Sequence, residues 1–385
     1  MQVRGNLPDD SGAVLIVIDG DVVSAVEILG PANPRLPYVS PGFIDLQLNG
    51  FAGVDFSASD LTAEQLHTVL PSIWRTGVTA FCPTLITMSQ RALIRNLGVM
   101  EEARRRFPDF ARTAPCYHVE GPYFSPSKAS GVHEPKWMRP PAKEDFQELQ
   151  QAAGGHIGLV TLGPEVPGAL DFIRYLSGTG VAVAVSHTEA SPDLIHQAAD
   201  AGVILSTHLG NGCPQLLDRQ RAPFWAQLTD DRLAASLICD SYHLAPDMLR
   251  LIRRVKGAER CILISDSSHI AGLPPGRYKF LRTDVELLPG GKVIRADGGS
   301  LACASVGLDR GVMVYCQQTG ASLAEALATV TRNPARLIPQ LNLTGELRSL
   351  ERADLVMFRF SVGGRTLKIE NVIVAGKSRQ SCSSR

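Results

Sequence analysis

The stretch from His118 to Pro135, HVEGPYFSPSKASGVHEP, places Glu120 and His133 on a segment punctuated by glycine and proline. Farther along stand His187 in VAVAVSH, His208 in VILSTHL and Asp266 in CILISDSS, each at the end of an apolar run. Glu120, His187 and His208 together offer one carboxylate oxygen and two imidazole nitrogens. Two histidines, one carboxylate and a water make up the ligand set of a catalytic zinc site with an open position. One divalent ion is therefore expected, zinc first, although iron(II), manganese or cobalt suits the same donors. Such an ion lowers the pKa of its water and polarises a substrate carbonyl. Asp266 is the expected proton shuttle, taking a proton from the water and delivering it to a leaving amine. Asp266 also reads as a helix N-cap, a role that Ser267 or Ser268 can share.

Other polar residues fall in the same kind of place. Gln47 and Asn49 close GFIDLQLNG, and His243 follows the run LAASLICD by three residues. His133 sits on the loop after the Glu120 run, where a polar group can reach substrate. Beyond His208, Asn211 and Gly212 allow a backbone to come close to a ligand. Arg219 and Arg221 in DRQRAPF could pair with an anion, since a guanidinium fork matches phosphate or carboxylate.

What must hold these residues is a set of eight apolar runs: 42–50, 79–85, 114–121, 156–165, 181–187, 203–209, 233–240 and 261–268. Each is almost continuously apolar, which marks strands buried on both faces. Helical patterns lie between them. Thr62-x-x-Gln65 is a capping box before Leu66, Val69, Leu70 and Ile73 at helical spacing. Ser191-Pro192 opens a helix that Gly202 closes. Eight strand–helix repeats predict an α/β fold, a (β/α)8 barrel with its active site at the carboxyl ends of the strands. A doubly wound open sheet is the competing arrangement. The two ends differ. Residues 11–40 hold AVLIVIDG and VVSAVEILG, and residues 345–378 hold ELRSL, ADLVMFRF and LKIENVIVAGK, all read as strands that pair into one small β-domain. The expected division is 1–39 plus 345–385 for that domain and 40–344 for the barrel. The polar end KSRQSCSSR is expected to fray.

Bulk properties bound the function. Charged residues are 20% of the chain and apolar ones 44%, so a packed core is expected rather than disorder. Lys plus Arg and Asp plus Glu balance at 38 each, which gives no basic surface for nucleic acid. No apolar run reaches the length of a membrane span, and the N-terminus lacks the basic-then-apolar order of a signal peptide. The eight cysteines are scattered without a C-x-x-C pair, as expected of reduced thiols in the cytoplasm.

The motifs in order resemble the N-acetylglucosamine-6-phosphate deacetylases of the amidohydrolase superfamily. The likeness runs from PGFIDLQLNGFAGVDF (41–56) through HVEGPYFSPSKASGVHEP, TLGPE, VSHTEAS, THLGNG, CDSYH and LISDSSHIAG to DGGSLACAS (297–305) and ERADLVMF (351–358). It covers about residues 12–378. The resemblance implies a barrel flanked by a β-sandwich from both termini, and hydrolysis of an N-acetyl group from an amino-sugar phosphate. It implies Glu120, His187 and His208 as metal ligands and Asp266 as acid and base. His133, Asn211, Gly212, Arg219 and His243 would contact sugar or phosphate, with the backbone near Leu301 close by. A homodimer is implied. The chain also departs from the family. Gln47 and Asn49 stand where many superfamily members carry His-x-His, which points to one metal. The segment after His208 differs, so Arg221 competes with Arg219 for the phosphate. His269 adds a histidine beside the acid, and Cys303 replaces a usual glycine. An unphosphorylated N-acetyl sugar, an N-acyl amino acid or a cyclic amide is the alternative substrate.

Overall fold

The computed structural model describes residues 1–379 apart from 215, 299, 362, 364 and 365. The eight apolar runs form one eight-stranded sheet in chain order: Phe43–Leu48, Val78–Leu85, Tyr117–Glu120, Ile157–Leu162, Ala182–Val185, Val203–Ser206, Ala234–Ile238 and Cys261–Ile264. Every neighbouring pair is parallel. The ring closes where Leu48 bridges Ser267 in parallel, with Asn49 N–H donating to the Ser267 carbonyl at 2.9 Å. An open doubly wound sheet is thereby excluded.

Side-chain alternation divides these strands into two cores. Outward residues such as Phe81, Tyr117, Val119 and Val160 pack on the helices, including Leu66, Leu93, Leu97 and Phe146. Inward residues such as Ile44, Cys82, Cys116, Leu159, Ala184, Leu205 and Ile262 fill the barrel and meet Ala335, Ile338 and Leu341 at its amino end. Parity then dictates what lies above. On the third strand, Cys116, His118 and Glu120 share the inward face, so the apolar floor gives way to a polar layer and then to the rim. In that middle layer His118 Nε2 lies 2.8 Å from Thr161 Oγ1, which lies 2.9 Å from Thr207 Oγ1. Burial pushes the His118 imidazole down to about 4, so this layer is neutral and self-satisfied.

The helix signals act as read. Thr62 Oγ1 accepts from Gln65 N–H while Gln65 Oε1 accepts from Thr62 N–H. Ser191 caps Pro192–Ala201, and Gly202 ends it with φ +120°. Both chain ends join one seven-stranded sheet that also includes Gln2–Asn6, a strand the sequence reading passed over. Its central seam pairs Tyr38–Pro41 with Leu355–Phe358, and its edge strand bridges Val22 to Arg352, so both ends share a core of Val14, Ile16, Val39, Leu355 and Ile373. ELRSL is not a strand. Leu350 is exposed with φ +69°, a turn conformation that its N–H bond to the Val23 carbonyl holds. The C-terminal segment pairs as far as Ser378, and Arg379 donates to both Asp109 oxygens at 2.9 Å. The remainder of KSRQSCSSR, with Cys382, lies outside the described residues.

One element was not anticipated. After the eighth strand, Gly276–Phe280, Thr283–Leu287, Val293–Arg295 and Leu301–Cys303 form an antiparallel four-stranded sheet around Ile270, Val285, Leu287 and Val293. It returns to the barrel where Ala304 bridges Ser267.

Candidate active site

Glu120, His187 and His208 converge although they come from the third, fifth and sixth strands. One potential ligand atom from each lies within 4.8 Å of the others, and all three residues are buried. Glu120 Oε1 is 2.9 Å from His208 Nε2 and 3.7 Å from His187 Nε2. Burial opposes the charge on Glu120, yet the adjoining His187 and His208 imidazoles hold its carboxyl well below the usual range. His187 has φ +49°, His208 +34° and Asp266 +47°. Left-handed backbone is costly for such residues and clusters at functional sites. Here it turns each side chain inward just as its strand ends.

The surroundings fix which nitrogen each ring presents. His187 Nδ1 donates to the Ala129 carbonyl at 2.7 Å, which leaves the Nε2 lone pair facing Glu120. His208 Nδ1 lies 3.3 Å from Ser186 Oγ. Glycine permits the close packing. A Cβ on Gly212 would meet His208 Cε1 at 3.0 Å and His187 Cε1 at 3.1 Å, and Gly212 has φ +60°. One carboxylate and two oriented imidazoles therefore fit a divalent cation, by donor chemistry as well as by spacing.

His133 reaches the same centre from the loop after the third strand. Its Nδ1 accepts from Thr87 N–H at 3.4 Å and lies 2.8 Å from Thr87 Oγ1, so the ring proton sits on Nε2. That Nε2 is buried, has no hydrogen-bond partner among the described residues, and lies 3.9 Å from Glu120 Oε2. Burial and the neighbouring His187 depress this imidazole to about 3, which keeps it a neutral donor.

Asp266 faces this group from the eighth strand. Burial raises its carboxyl to about 6, with His208 pulling it down and Glu120 pushing it up. Asn49 Nδ2 donates to Asp266 Oδ1 at 2.7 Å. On the seventh-strand loop His243 Nδ1 is 2.7 Å from Asp240 Oδ2, and Asp240 Oδ1 also accepts the N–H groups of Tyr242 and His243.

The remaining expected residues are dispersed around this centre. Asn211 follows His208 in a tight turn, its N–H bonded to the His208 carbonyl, and its buried Nδ2 has no partner among the described residues. Leu301 opens the last strand of the inserted sheet, beside the segment that carries Asp266. Arg219 and Arg221 are exposed on the loop leading to Pro223, and neither side chain makes an ion pair among the described residues. His269 turns away from the triad. Its Nε2 bonds the Lys279 carbonyl at 3.0 Å, so it fastens the inserted sheet. Cys303 Sγ lies 3.2 Å from Ser268 Oγ and packs with that sheet's core. Gln47 is buried, and its Nε2 has no partner among the described residues.

Sequence reasoning missed the groups that orient the site: Thr87, the Ala129 carbonyl and Asp240. Only Asp240 left a signal, an acid three residues before His243 at a strand end. The other two depend on loops folding back across the barrel mouth.

Known proteins share this chain's sequence pattern and fold. The amidohydrolase family model matches residues 38–379. An N-acetylgalactosamine-6-phosphate deacetylase from Escherichia coli O157:H7 is 31% identical over 344 residues, 89% of each chain. An N-acetylglucosamine-6-phosphate deacetylase from Bacillus subtilis is 30% identical over 334 residues, 86% of this chain and 82% of that one. Among solved structures, a mutant N-acetyl-D-glucosamine-6-phosphate deacetylase from Mycobacterium smegmatis in complex with N-acetyl-D-glucosamine-6-phosphate superposes with a TM-score of 0.84 at 28% identity, covering 96% of this chain and 95% of that one. The Pasteurella multocida deacetylase gives 0.86 at 25% identity, covering 98% and 99%. With the family model spanning most of its length, this chain belongs to the amidohydrolase family.

Proposed function

We propose that this chain hydrolyses the N-acetyl group of an amino-sugar 6-phosphate, first N-acetylglucosamine 6-phosphate, giving acetate and the free amine. The observation that carries it is the gathering of Glu120, His187, His208, His133 and Asp266 at one barrel rim, in a fold shared with a relative that holds this sugar phosphate. Glu120, His187 and His208 hold one divalent ion, zinc first; when bound, it acidifies a water and polarises the acyl carbonyl. Asp266 takes the proton from the attacking water and passes it to the departing nitrogen as the C–N bond breaks. His133 donates its Nε2 proton to the acyl oxygen as negative charge builds there. His243 and Asn211 bind sugar hydroxyls, Gly212 and Leu301 bring backbone against the sugar, and Arg219 takes the phosphate.

A homodimer working in the cytoplasm completes this reading. No described helix is long and apolar enough to cross a membrane. Acetate release from N-acetylglucosamine 6-phosphate, with and without a chelator, tests the core claim. Turnover should vanish on metal removal and return with zinc. Equal turnover in both arms would remove the metal. Equal kcat/KM on unphosphorylated N-acetylglucosamine would move the activity to another acylated substrate.

A further inference from the structure

The first strand ends opposite the eighth, and two kinds of bond join them. Asp266 N–H donates to the Gln47 carbonyl at 2.9 Å, and Asn49 N–H to the Ser267 carbonyl at 2.9 Å. Between these backbone bonds, Asn49 Nδ2 reaches Asp266 Oδ1 at 2.7 Å and the Asp266 carbonyl at 3.4 Å. Among the described residues no other side chain donates to this carboxylate. Asp266 itself sits on left-handed backbone with φ +47°. The carboxylate thus stands on a constrained turn, and the amide that holds it is presented by the strand that closes the barrel.

From this geometry we infer that Asn49 is a positioning residue for proton transfer. It fixes Asp266 Oδ1 as a hydrogen-bond acceptor and leaves Oδ2 as the oxygen that carries the proton. Without the amide, rotation about the Cβ–carboxyl bond exchanges the two oxygens and spreads the acceptor over several orientations. Reacting groups lose about 100-fold in rate for displacements near 1 Å, so a fixed oxygen matters. The amide suits this task because it donates without bringing a charge. An acid at position 49 would repel Asp266, and an apolar residue would leave Oδ1 without its donor. The step balances: the water O–H bond breaks, the proton rests on Oδ2, and it leaves on the amine nitrogen as the C–N bond breaks. The inference rests on Asp266 being the acid–base group.

Three variants separate the possibilities: Asn49→Ala, the isosteric Asn49→Asp, and Asp266→Asn, each assayed as metal-loaded full-length protein. Asn49→Ala should lower kcat about 100-fold with KM changed less than about threefold. The acid limb of its kcat–pH profile should move to higher pH, because a carboxylate without its donor holds a proton more tightly. Asn49→Asp should lose at least as much activity. In an Asp266→Asn background, Asn49→Ala should cost nothing further, since the group it positions is gone. Metal content and the unfolding midpoint are measured alongside. A wild-type kcat and unshifted acid limb in Asn49→Ala would overturn the positioning role. So would an equal loss in the Asp266→Asn background. Full activity in Asp266→Asn alone would instead sink the acid–base reading on which the role depends.

Discussion

His187 Nδ1 and the carbonyl oxygen of Ala129 lie 2.7 Å apart, so the proposed metal ligand on the fifth strand is oriented by the loop that follows the third. That same loop carries His133, whose ring packs 4.3 Å from that of His187. Gly131 lies between Ala129 and His133 in chain order, with φ +57°, and a Cβ there would meet His187 Cε1 at 3.2 Å. Gly131→Ala therefore strains the backbone and presses on the ligand ring together. Outer partners of metal-binding histidines typically control affinity by about 10–100-fold. Zinc affinity in this variant, read by competition with a chromophoric chelator, should fall by about tenfold or more. An unchanged affinity would show that the loop carbonyl does not orient His187.

Asp240 should act on His243 in a comparable way. With Oδ1 taking two backbone N–H groups and Oδ2 the ring, it sets the imidazole's orientation and leaves Nε2 to the proposed sugar contact. Burial disfavours its charge, but the His243 side chain and the backbone donors hold the carboxyl below its usual value. Asp240→Asn keeps the shape and removes the ionised acceptor. We expect KM to rise about tenfold, the equivalent of about 1.4 kcal/mol, with a smaller change in kcat. A drop in kcat alone would make His243 part of the chemistry rather than of binding.

For the phosphate, exposed arginines usually contribute little, so the test is a comparison of substrates rather than of stabilities. Arg219→Ala should raise KM for N-acetylglucosamine 6-phosphate at least tenfold, since bonds to a charged group contribute about 1.5–3 kcal/mol. The unphosphorylated sugar should show no change. Arg221→Ala is the matched control. If Arg221→Ala gives the larger effect, the two assignments exchange.

What the sequence made legible follows from where its signals are local. Eight apolar runs and one strand-end polar residue on several of them were enough to locate the barrel, the triad and Asp266, because a strand's direction fixes which end carries chemistry. The inserted sheet escaped notice because its strands, such as Arg277-Tyr278-Lys279 and Asp284-Val285-Glu286, alternate polar and apolar residues around a core of, among the described residues, four buried side chains. ELRSL looked strand-like by composition, but tertiary contacts hold Leu350 in a turn. Thr87 and Ala129 carry no functional signature at all. Their role comes from loops crossing the barrel mouth, a long-range fact that no short window contains.

Acid stability offers a test remote from the active site. Asp230 is buried beside Arg232 and His196. Its Oδ1 accepts from Arg232 Nε at 2.9 Å, and its Oδ2 from Arg232 Nη2 at 2.6 Å and His196 Nδ1 at 2.9 Å. The Arg232 hydrogen bond is the main reason its carboxyl falls far below the ordinary value of 3.8. A group with a depressed folded-state pKa contributes stability above its unfolded pKa, and that contribution disappears as pH falls through the folded one. The Asp230 contribution is therefore complete above about pH 5 and is lost progressively below pH 4. Partial solvent access to the pair limits it to about 1 kcal/mol. Urea unfolding of the wild type and Asp230→Asn should differ by about that amount at pH 7, and the gap should begin to narrow below about pH 4 and close only as pH falls well below about 3. A gap that stays constant from pH 7 to well below about pH 3 would show that Asp230 stabilises the fold through packing rather than through its charge.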